Sequence, residues 1–544
     1  MAPDMSSHRI QPPVLPVKGP ERRDVRLRDG TNLVASVWRP DTAKSLPVLL
    51  MRQPYGREIA STVTLAHPSW YAARGYIVAV QDVRGAGDSE GDFEALANEA
   101  GDGAETLDWA RGLEGSCGKV GTYGFSYQGT TQFLMLAGGG RPDAMAVSMA
   151  SWNPLMDWSS EGGLFRAAMS TGWAAQMARL KAHRLGDDAA LAALDARRPW
   201  TELFDFLIAR PDLSHLSAWA SGEISANPSA ALSPPPVVPL FQTAGAADFL
   251  LRGALAADAA FRAVSPETTH LVFAPWGHIG WNRSSGAARL AAGAEFSVDR
   301  AQLAFFDHYL KGVGNAPPPF LAYDGGTDVW REEDPVRFFA APSRQIRPMS
   351  DGLAATLLGD GRLVDVPGDG QDVLVHDPSR PAPHTGGSCG TPGGPVSLES
   401  HHDRADVACY TSTGLRQDTL LAGRAEADVS VSLDGDLSGL AASLSVVSPD
   451  GSARALATSV AAIEPDQGSE AGRSLCRFRF DGLYRTLHSG EALRLAVQAA
   501  PCPDFLPFPA RRLPRAGARA TALTLHHAAS RLLLPLHDQG SANA

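Results

Sequence analysis

The stretch KVGTYGFSYQGTTQFLMLA, residues 119–137, predicts a strand, a sharp turn and a helix in direct succession. Its first five residues predict a short buried strand and the apolar run from Thr130 predicts a helix, which leaves Ser126 at the apex of the turn between them. Small residues at both ends of the turn permit a strained backbone, and the helix N-terminus directs amide hydrogens toward the hydroxyl. The stretch therefore predicts a nucleophile elbow, although Gln128 stands where the usual pattern has its second glycine.

Strand and helix patterns alternate on both sides of this turn. A hairpin is predicted at 23–38, buried strands at 48–51 and 76–80, and a helix around 105–110. Such alternation is typical of a parallel sheet that is covered by helices on both faces.

The rest of the chain divides into three kinds of pattern. Residues 153–234 have helical spacing and are either peripheral helices or a lid over a site at the strand ends. Strands return at 237–241 and 271–274, and a helix follows at 298–311. Beyond about residue 340, short alternating runs between Gly and Pro clusters predict an antiparallel β-sandwich or jelly roll.

The composition excludes several classes of protein. The 544 residues are 44% hydrophobic and 20% charged, with a net charge of −11 and no Lys/Arg run, which argues against nucleic-acid binding. Neither a membrane-spanning run nor a signal peptide is visible, so we expect a cytoplasmic protein without a membrane partner. Five scattered cysteines, none in a CxxC pair, predict neither a disulfide framework nor a metal site.

Two candidate partners of Ser126 follow it in the order expected after a nucleophile elbow, first an acid and then a histidine. Asp248 and His278 each come just after a predicted strand, and parallel strands end at one edge of a sheet, so the three side chains can converge. Ser126 would be the nucleophile, His278 its general base, and Asp248 the group that orients the imidazole. Alone, Asp248 could also cap a helix beginning at Phe249 and His278 could be a loop histidine; His308, the rival base, lies inside a predicted helix.

An oxyanion hole needs hydrogen-bond donors near the serine. The backbone amide of Tyr127 is one candidate. The loop after the strand at 48–51 has no glycine run, and its Tyr55 either packs the loop or donates its hydroxyl.

Two other polar groups invite a functional interpretation. The glycine-rich segment 81–91 contains Asp82 and Arg84, which we interpret as part of a structural ion pair. The pairs His401-His402 and His526-His527 lie in the predicted sandwich, where neighbouring strand residues point to opposite faces, so we expect no metal site there.

Several motifs together resemble the CocE/NonD family of serine hydrolases. That family includes cocaine esterase-like enzymes, α-amino-acid ester hydrolases and glutaryl acylases, and it is related to X-prolyl dipeptidyl peptidases. The motifs that carry the resemblance are Gln53-Pro54-Tyr55, DVRG…SEGDF at 82–93, Gly118-Lys119-Val120-Gly121 leading into GFSYQG, Glu161-Gly162-Gly163, APWGH at 274–278, FDHYLKG at 306–312 and Tyr410-Thr411-Ser412.

The resemblance implies three domains and no cofactor. It implies an α/β-hydrolase core formed by 1–152 and 235–335, a helical cap at 153–234, and a C-terminal jelly-roll β-sandwich at 340–544.

The resemblance also implies roles for individual residues. It carries Ser126, Asp248 and His278 over as the catalytic triad and places the Tyr55 hydroxyl beside the Tyr127 amide in the oxyanion hole. The displaced glycine is explained as well, because the family has it one place later, at Gly129.

The residues around Asp248 bear on the substrate. Ala246 and Ala247 stand where the family usually has aromatic residues, and the apolar stretch 249–251 stands where relatives that accept α-amino acyl groups have carboxylates. An ammonium group would lose its hydration there without gaining a partner, so we predict a neutral, rather apolar acyl group. The candidate pocket walls, each of which also suits core packing, are Trp152, Trp158, Phe165, Trp173 and Phe249.

We therefore predict a carboxylic ester hydrolase that works through an acyl-enzyme on a small-molecule ester or amide. An amidase, an acylase or an enzyme like the X-prolyl dipeptidyl peptidases would use the same machinery. A carbohydrate-binding protein with an inert core is the alternative from another class, and a homodimer stays open.

Overall fold

The computed structural model describes residues 14–58, 64–224, 226–279, 281, 284–285, 288–356, 359–388, 390, 392–435, 437–465, 472–501, 504–507 and 519–538. Cys389, Cys502 and the first thirteen residues lie outside these ranges. Cys117, Cys409 and Cys476 are free thiols. Along the described ranges, no helix combines the length and the apolar character needed to cross a bilayer.

The first half of the core begins with the predicted hairpin and then alternates strands with helices. Its apolar strands are buried because helices cover both faces of the sheet, which is why they lack a polar alternation. The elements are β1 Val17–Arg26, β2 Asn32–Pro40, β3 Leu46–Gln53, α1 Pro68–Ala72, β4 Ile77–Asp82, α2 Glu99–Arg111, β5 Ser116–Phe125, α3 Tyr127–Ala137 and β6 Ala144–Ser148.

An insert that is mainly helical follows β6, as predicted, and has its own apolar cluster around Phe204 and Leu207. It also contains a small hairpin, which the helical spacing of the sequence did not indicate. Its elements are a π-helix Pro154–Ser159, β7 Ser160–Glu161, β8 Leu164–Arg166, α4 Ala167–Leu185, α5 Asp188–Asp195, α6 Trp200–Ile208, α7 Leu216–Ser221 and α8 Pro228–Ala231.

The second half of the core completes the sheet. The strand expected from residue 237 begins only at Leu240, because Pro239 has no amide to donate and Val237 is 67% exposed. The elements are β9 Leu240–Ala247, α9 Leu251–Val264, a 3₁₀ helix Pro266–Thr268, β10 Thr269–Gly277, β11 Ser284–Ser285, β12 Ala288–Arg289, a 3₁₀ helix Ala292–Ala294, α10 Val298–Phe306, a π-helix Asp307–Lys311, β13 Phe320–Asp324, β14 Val329–Glu332 and α11 Pro335–Phe339.

The core sheet has the strand order β1-β2-β4-β3-β5-β6-β9-β10-β13-β14. Neighbouring strands from β4 to β13 in this order are parallel, whereas β1, β2 and β14 pair antiparallel at the two edges. The strands β5, β9 and β10 are therefore near neighbours with their carboxyl ends at one edge. This arrangement is the α/β core that the sequence predicts.

The C-terminal part is rich in β-strands, as predicted. Two largely antiparallel sheets enclose one apolar core, and β15 joins them because it pairs with both β16 and β26. The elements are β15 Arg344–Met349, β16 Arg362–Val364, β17 Gln371–His376, α12 Glu399–His402, β18 Val407–Ser412, β19 Thr419–Leu433, β20 Gly439–Val447, β21 Ala453–Ala462, β22 Glu464–Pro465, β23 Ser474–Leu487, β24 Ala492–Ala499, β25 Phe505–Pro507, β26 Thr521–Leu534 and β27 Leu536–Asp538.

The C-terminal part is joined directly to the helical insert. Strand β25 pairs antiparallel with β8, so that the small hairpin of the insert becomes a three-stranded sheet. Arg252 of α9 forms ion pairs with Glu161 of the insert and with Asp481 of the C-terminal part, each at 3.2 Å. The core, the insert and the C-terminal part therefore meet on one side of the molecule.

Candidate active site

Ser126 lies between β5 and α3 with a backbone conformation that is rare for a side-chain-bearing residue. Its φ is 61° and its ψ is −123°. Such a conformation costs roughly 1–3 kcal/mol and persists only where the surroundings fix it. Here the Ser126 amide donates to Ser148 O at 2.9 Å, and its carbonyl accepts from the Gly129 amide at 2.9 Å. The predicted strand, turn and helix around this serine are all present.

Two glycines make this turn sterically possible. A Cβ at Gly124 would lie 2.5 Å from the Gln128 Cβ, and a Cβ at Gly129 would lie 2.7 Å from the Ala150 Cβ. Gln128 is accommodated because its Oε1 accepts from the Phe125 amide at 3.1 Å. The close approach therefore requires glycine at 129 rather than at 128, which is the physical reason for the displaced glycine.

The structure brings His278 and Asp248 to Ser126. Ala247 and Gly277 are partners in the pairing of β9 with β10, so the residues that follow them leave the sheet side by side. His278 Nδ1 lies 2.7 Å from Asp248 Oδ1, and His278 Nε2 lies 2.9 Å from Ser126 Oγ.

The hydrogen-bond directions along this chain follow from its chemistry. A carboxylate can only accept, so Nδ1 of His278 donates to Asp248 and Nε2 is left to accept from the serine hydroxyl. Asp248 is fully buried and also accepts from the Leu250 amide at 3.1 Å, which fixes its carboxylate. The helix α9 begins at Leu251, so Asp248 is not its N-cap residue.

Aromatic rings hold the imidazole in place. The ring of His278 is 4.6 Å from Phe125 and 4.3 Å from Phe249, centroid to centroid. Phe249 is thus one of the predicted pocket residues that lies at the site. The rings restrict the rotation of the imidazole and exclude water from one side of it.

Tyr127 directly follows the serine, and the ring of Tyr55 lies 6.4 Å from the ring of Tyr127. Tyr127 is the first residue of α3, so its amide has no acceptor within the helix. The Tyr55 hydroxyl accepts a hydrogen bond from Trp173 Nε1 at 3.3 Å, and this is its only hydrogen bond within the described residues. Burial raises the pKa of Tyr55 to about 12, which keeps the phenol protonated at neutral pH. Its proton is therefore available to a further acceptor.

A buried network of hydrogen bonds and an ion pair holds the Tyr127 hydroxyl, and no sequence pattern indicates it. The Tyr127 hydroxyl donates to Glu99 Oε1 at 2.9 Å and accepts from the Leu96 amide at 3.0 Å. Glu99 pairs with Arg52 at 2.8 Å, with both side chains 3% exposed. Burial raises the pKa of Glu99, and the Arg52 guanidinium opposes that effect. The first turn of α3 is thus held at its side chain as well as at its backbone.

An aromatic cluster of the insert packs over this turn. Trp158 and Trp173 lie 6.3 and 6.0 Å from the Tyr127 ring, and Trp219 contacts both. The ring of His215 packs against those of Trp173 at 4.4 Å and Trp219 at 4.9 Å, centroid to centroid. Burial alone lowers the pKa of His215 to about 3.

The buried His215 predicts a pH effect on stability. The folded-state pKa of about 3 lies below the ordinary value of 6.5, so protons favour the unfolded chain. The stabilisation that depends on neutral His215 is therefore fully present above pH 6.5 and is lost as the pH falls toward 3. The variant His215→Phe keeps an aromatic ring but cannot be protonated. We expect its free energy of unfolding, relative to that of the native protein, to be about 3 kcal/mol higher at pH 4.5 than at pH 7.5. Urea unfolding of both proteins at both pH values measures this change. If the variant differed from the native protein by the same free energy of unfolding at pH 7.5 and at pH 4.5, the prediction would be wrong.

A cavity of about 390 Å³ opens at His278. Arg166 and Asp504 supply charged groups to its wall, and sequence reasoning missed both. Arg166 is neutralised by Glu161 at 2.5 Å and donates to Phe249 O at 2.7 Å. Burial raises the pKa of Asp504. The described residues that line the cavity are Arg166, Ala168, Met169, Ala247, Phe249, Gly277, His278, Ile279, Ser388, Gly390, Gly393, Asp504 and Phe505.

The remaining predicted pocket residues occupy different places. Trp173 reaches Tyr55, and Trp158 is buried against Tyr127. Trp152 instead packs in a core cluster around Phe133 and Phe261, and Phe165 is buried in the core of the insert. For these two, the core-packing alternative agrees with the structure.

The other polar groups singled out in the sequence have structural partners. Arg84 pairs with Asp102 at 2.7 Å and with Asp29 at 2.8 Å, whereas Asp82 pairs with Arg57 at 2.6 Å. The structural interpretation of this segment is thus correct, but each residue has a separate partner.

His308 and the two histidine pairs singled out in the sequence have partners other than the Ser126, Asp248 and His278 side chains. His308 Nδ1 bonds to Gly314 O at 3.0 Å. His401 and His402 lie on the short helix α12, not on a strand as expected, whereas His526 and His527 lie on β26 and bond to Ser432 and Asp372. Among the residues described, no group of three His, Cys, Asp or Glu side chains could hold a metal ion.

Comparison with known proteins assigns the two parts of the chain. Residues 29–280 match the family model of the X-Pro dipeptidyl-peptidase (S15 family), and residues 366–531 match that of the X-Pro dipeptidyl-peptidase C-terminal non-catalytic domain. The cocaine esterase of Rhodococcus sp. is 28% identical over 444 residues, which cover 75% of this chain and 76% of that protein.

Solved structures have the same fold over nearly the whole chain. An α-amino acid ester hydrolase superposes with a TM-score of 0.72 and 19% identity, covering 99% of this chain and 100% of that one. An aminopeptidase from a marine sediment archaeon (Thaumarchaeota) gives 0.71 and 19%, covering 98% of each chain. A CocE/NonD family hydrolase from Staphylococcus aureus gives 0.66 and 16%, covering 96% and 94%.

These likenesses agree with one another in both parts of the molecule. The relatives are hydrolases, and the matched families supply the α/β core in one case and the C-terminal β-rich domain in the other. The chain is therefore similar to the S15 family in its core, and as a whole it has the fold of a CocE/NonD family hydrolase.

Proposed function

We propose that this hydrolase cleaves carboxylic esters through an acyl-enzyme on Ser126. The observation that carries the proposal is the hydrogen-bonded chain from Ser126 Oγ to His278 Nε2 and from His278 Nδ1 to Asp248 Oδ1, at 2.9 and 2.7 Å. A nucleophile, a base and an orienting carboxylate in this sequence are what acyl transfer requires.

The proposed reaction uses these three side chains, two oxyanion donors and water. Ser126 Oγ attacks the ester carbonyl while its proton passes to His278 Nε2, and the Asp248 carboxylate stabilises the imidazolium. The Tyr127 amide and the Tyr55 hydroxyl donate to the oxyanion. The imidazolium then protonates the leaving alcohol, the acyl group stays on Ser126, and water repeats the attack to release the acid.

The preferred acyl group in this proposal is neutral and rather apolar. Phe249, next to Asp248, lies against the imidazole and lines the cavity together with Met169 and Phe505. The Arg166 charge in the same wall is neutralised by Glu161. An apolar acyl group would contact these apolar side chains and leave the Arg166–Glu161 pair intact.

Labelling with a fluorophosphonate probe tests the proposal. The native protein is expected to be labelled at one site within minutes, because the probe reacts only with an activated serine. Ser126→Ala should not be labelled, although its thermal midpoint should equal that of the native protein. Ser151→Ala, at another buried serine, is the matched control and should still be labelled. Labelling that survives in Ser126→Ala would refute the role of Ser126.

One observation favours a second candidate, hydrolysis of an amide or ester that carries an ammonium group. Asp504 is a carboxylate in the cavity wall, and in the part of the chain described its side chain has no hydrogen bond or ion pair. A panel of p-nitrophenyl esters with butyryl, benzoyl and alanyl acyl groups, with alanyl p-nitroanilide alongside, separates the two. The first proposal expects butyryl and benzoyl esters to be cleaved at least tenfold faster than alanyl ones; the reverse order, lost in Asp504→Asn, would support the second.

A further inference from the structure

A second cavity, of about 480 Å³, lies between the core sheet and the C-terminal domain. It is larger than the cavity at His278 and contains no residue of the proposed triad. The two cavities share one described lining residue, Ala247. Volumes of this size are typical of small-molecule sites.

The charged residues that line this cavity are three arginines. Arg289, Arg454 and Arg485 contribute to its wall, and among the described lining residues there is no Asp or Glu. The chain as a whole has a net charge of −11, so a purely basic wall is a local contrast. The wall therefore favours an anion.

These guanidinium groups have N–H donors that the described residues do not use. Arg289 and Arg454 are exposed and form no ion pair within the described residues. Arg485 is more buried: it donates to Gly325 O at 3.2 Å and lies 3.5 Å from Glu491, and its buried Nε has no acceptor among the residues described. An anion in the cavity would supply the missing acceptor.

The remainder of the wall is apolar and held in place. Phe273, Leu421 and Leu483 are buried side chains that line it. Two tyrosines of the wall are fixed by hydrogen bonds, Tyr323 to Asp328 at 2.5 Å and Tyr484 to Glu333 at 2.6 Å. Such a surface suits a ring or a short alkyl body better than a small inorganic ion.

We propose that this cavity binds an apolar monocarboxylate, with its carboxylate on the three arginines and its body against the apolar wall. The site is separate from the one at Ser126, and its existence does not depend on the proposed esterase activity. Arginine forks bind carboxylates through two parallel hydrogen bonds, so the carboxylate carries most of the selectivity.

The test compares two ligands of nearly the same shape. 1-Naphthylacetate and 1-naphthylacetamide are titrated calorimetrically into the full chain carrying Ser126→Ala, so that neither catalysis nor the nucleophile contributes. The carboxylate is expected to bind at least tenfold more tightly than the amide, and more weakly as salt is added.

Variants locate the binding. In Arg289→Gln/Arg454→Gln the affinity for the carboxylate should fall at least tenfold and that for the amide should not change. Arg362→Gln, which removes an exposed arginine from β16, is the control and should behave like the parent. Leu456→Trp, which fills the cavity, should weaken both ligands. Equal affinity for the carboxylate and the amide, no binding of either, or carboxylate affinity retained in the double variant would each overturn the proposal.

Discussion

Asp248→Asn is expected to lower kcat by about 10⁴-fold while the protein stays folded. The carboxamide has nearly the shape of the carboxylate and can keep the hydrogen bond from the Leu250 amide. It carries no charge, so the imidazolium formed during attack loses its stabilising partner. If the amide rotates, its NH₂ group faces His278 Nδ1 and forces the proton onto Nε2, where it blocks transfer from Ser126.

A second buried carboxylate provides the control. Asp258, on α9, is also fully buried and pairs with Arg262 at 2.8 Å. Asp258→Asn should lower the thermal midpoint, because it breaks a buried ion pair, but leave kcat of the folded protein within threefold. Steady-state kinetics on a p-nitrophenyl ester measure both variants. A fall of less than tenfold in Asp248→Asn would remove this residue from the mechanism.

Tyr55→Phe is expected to lower kcat by about 10²–10³-fold with little change in KM, as for the loss of an oxyanion donor. The ring and its contact with Tyr127 are retained, so the change removes only the hydroxyl. Since the hydroxyl accepts from Trp173 and is held protonated by burial, its own proton is the one that would meet the oxyanion. The stability measured by urea unfolding should change by less than about 1 kcal/mol.

A substitution of Trp173 tests whether the Tyr55 hydroxyl must be oriented as well as present. Trp173→Phe keeps an aromatic ring but removes the hydrogen bond to Tyr55, and we expect kcat to fall only three- to tenfold. In the double variant with Tyr55→Phe, the Trp173 change should have almost no further effect, because the hydroxyl that it orients is gone. Fully multiplicative effects would mean that Trp173 does not act through Tyr55, and an unchanged kcat in Tyr55→Phe would exclude this tyrosine from the oxyanion hole.

The parts of the fold that sequence predicts are those with a local signal. The strand, turn and helix around Ser126 follow from small residues and apolar runs within twenty positions. The convergence of Asp248 and His278 follows from the parallel sheet, since residues after neighbouring strand ends must lie together. The strand β9 begins later than the sequence predicts, because the valines before it have strand composition but Pro239 has no amide to donate to the sheet.

The parts that sequence could not predict depend on contacts between distant segments. The anchoring of Tyr127 by Glu99 joins two helices that pack side by side, and a glutamate on a helix with that spacing has no distinguishing pattern. Asp504 joins the cavity wall only because β25 pairs with β8. The chemical roles of the triad and of the oxyanion donors, and the domain boundaries, stay predictions for the experiments above.

The pairing of β25 with β8 has a consequence for how such enzymes diversify. In the proposed mechanism the nucleophile Ser126 lies in the first half of the chain, whereas Phe505 and Asp504, which line the cavity at His278, are brought in by the other domain. Under this proposal, reactivity and part of the selectivity are encoded in separate stretches of the gene. A chimera that exchanges only the C-terminal domain between two relatives should inherit its catalytic chemistry from one parent and part of its substrate selectivity from the other.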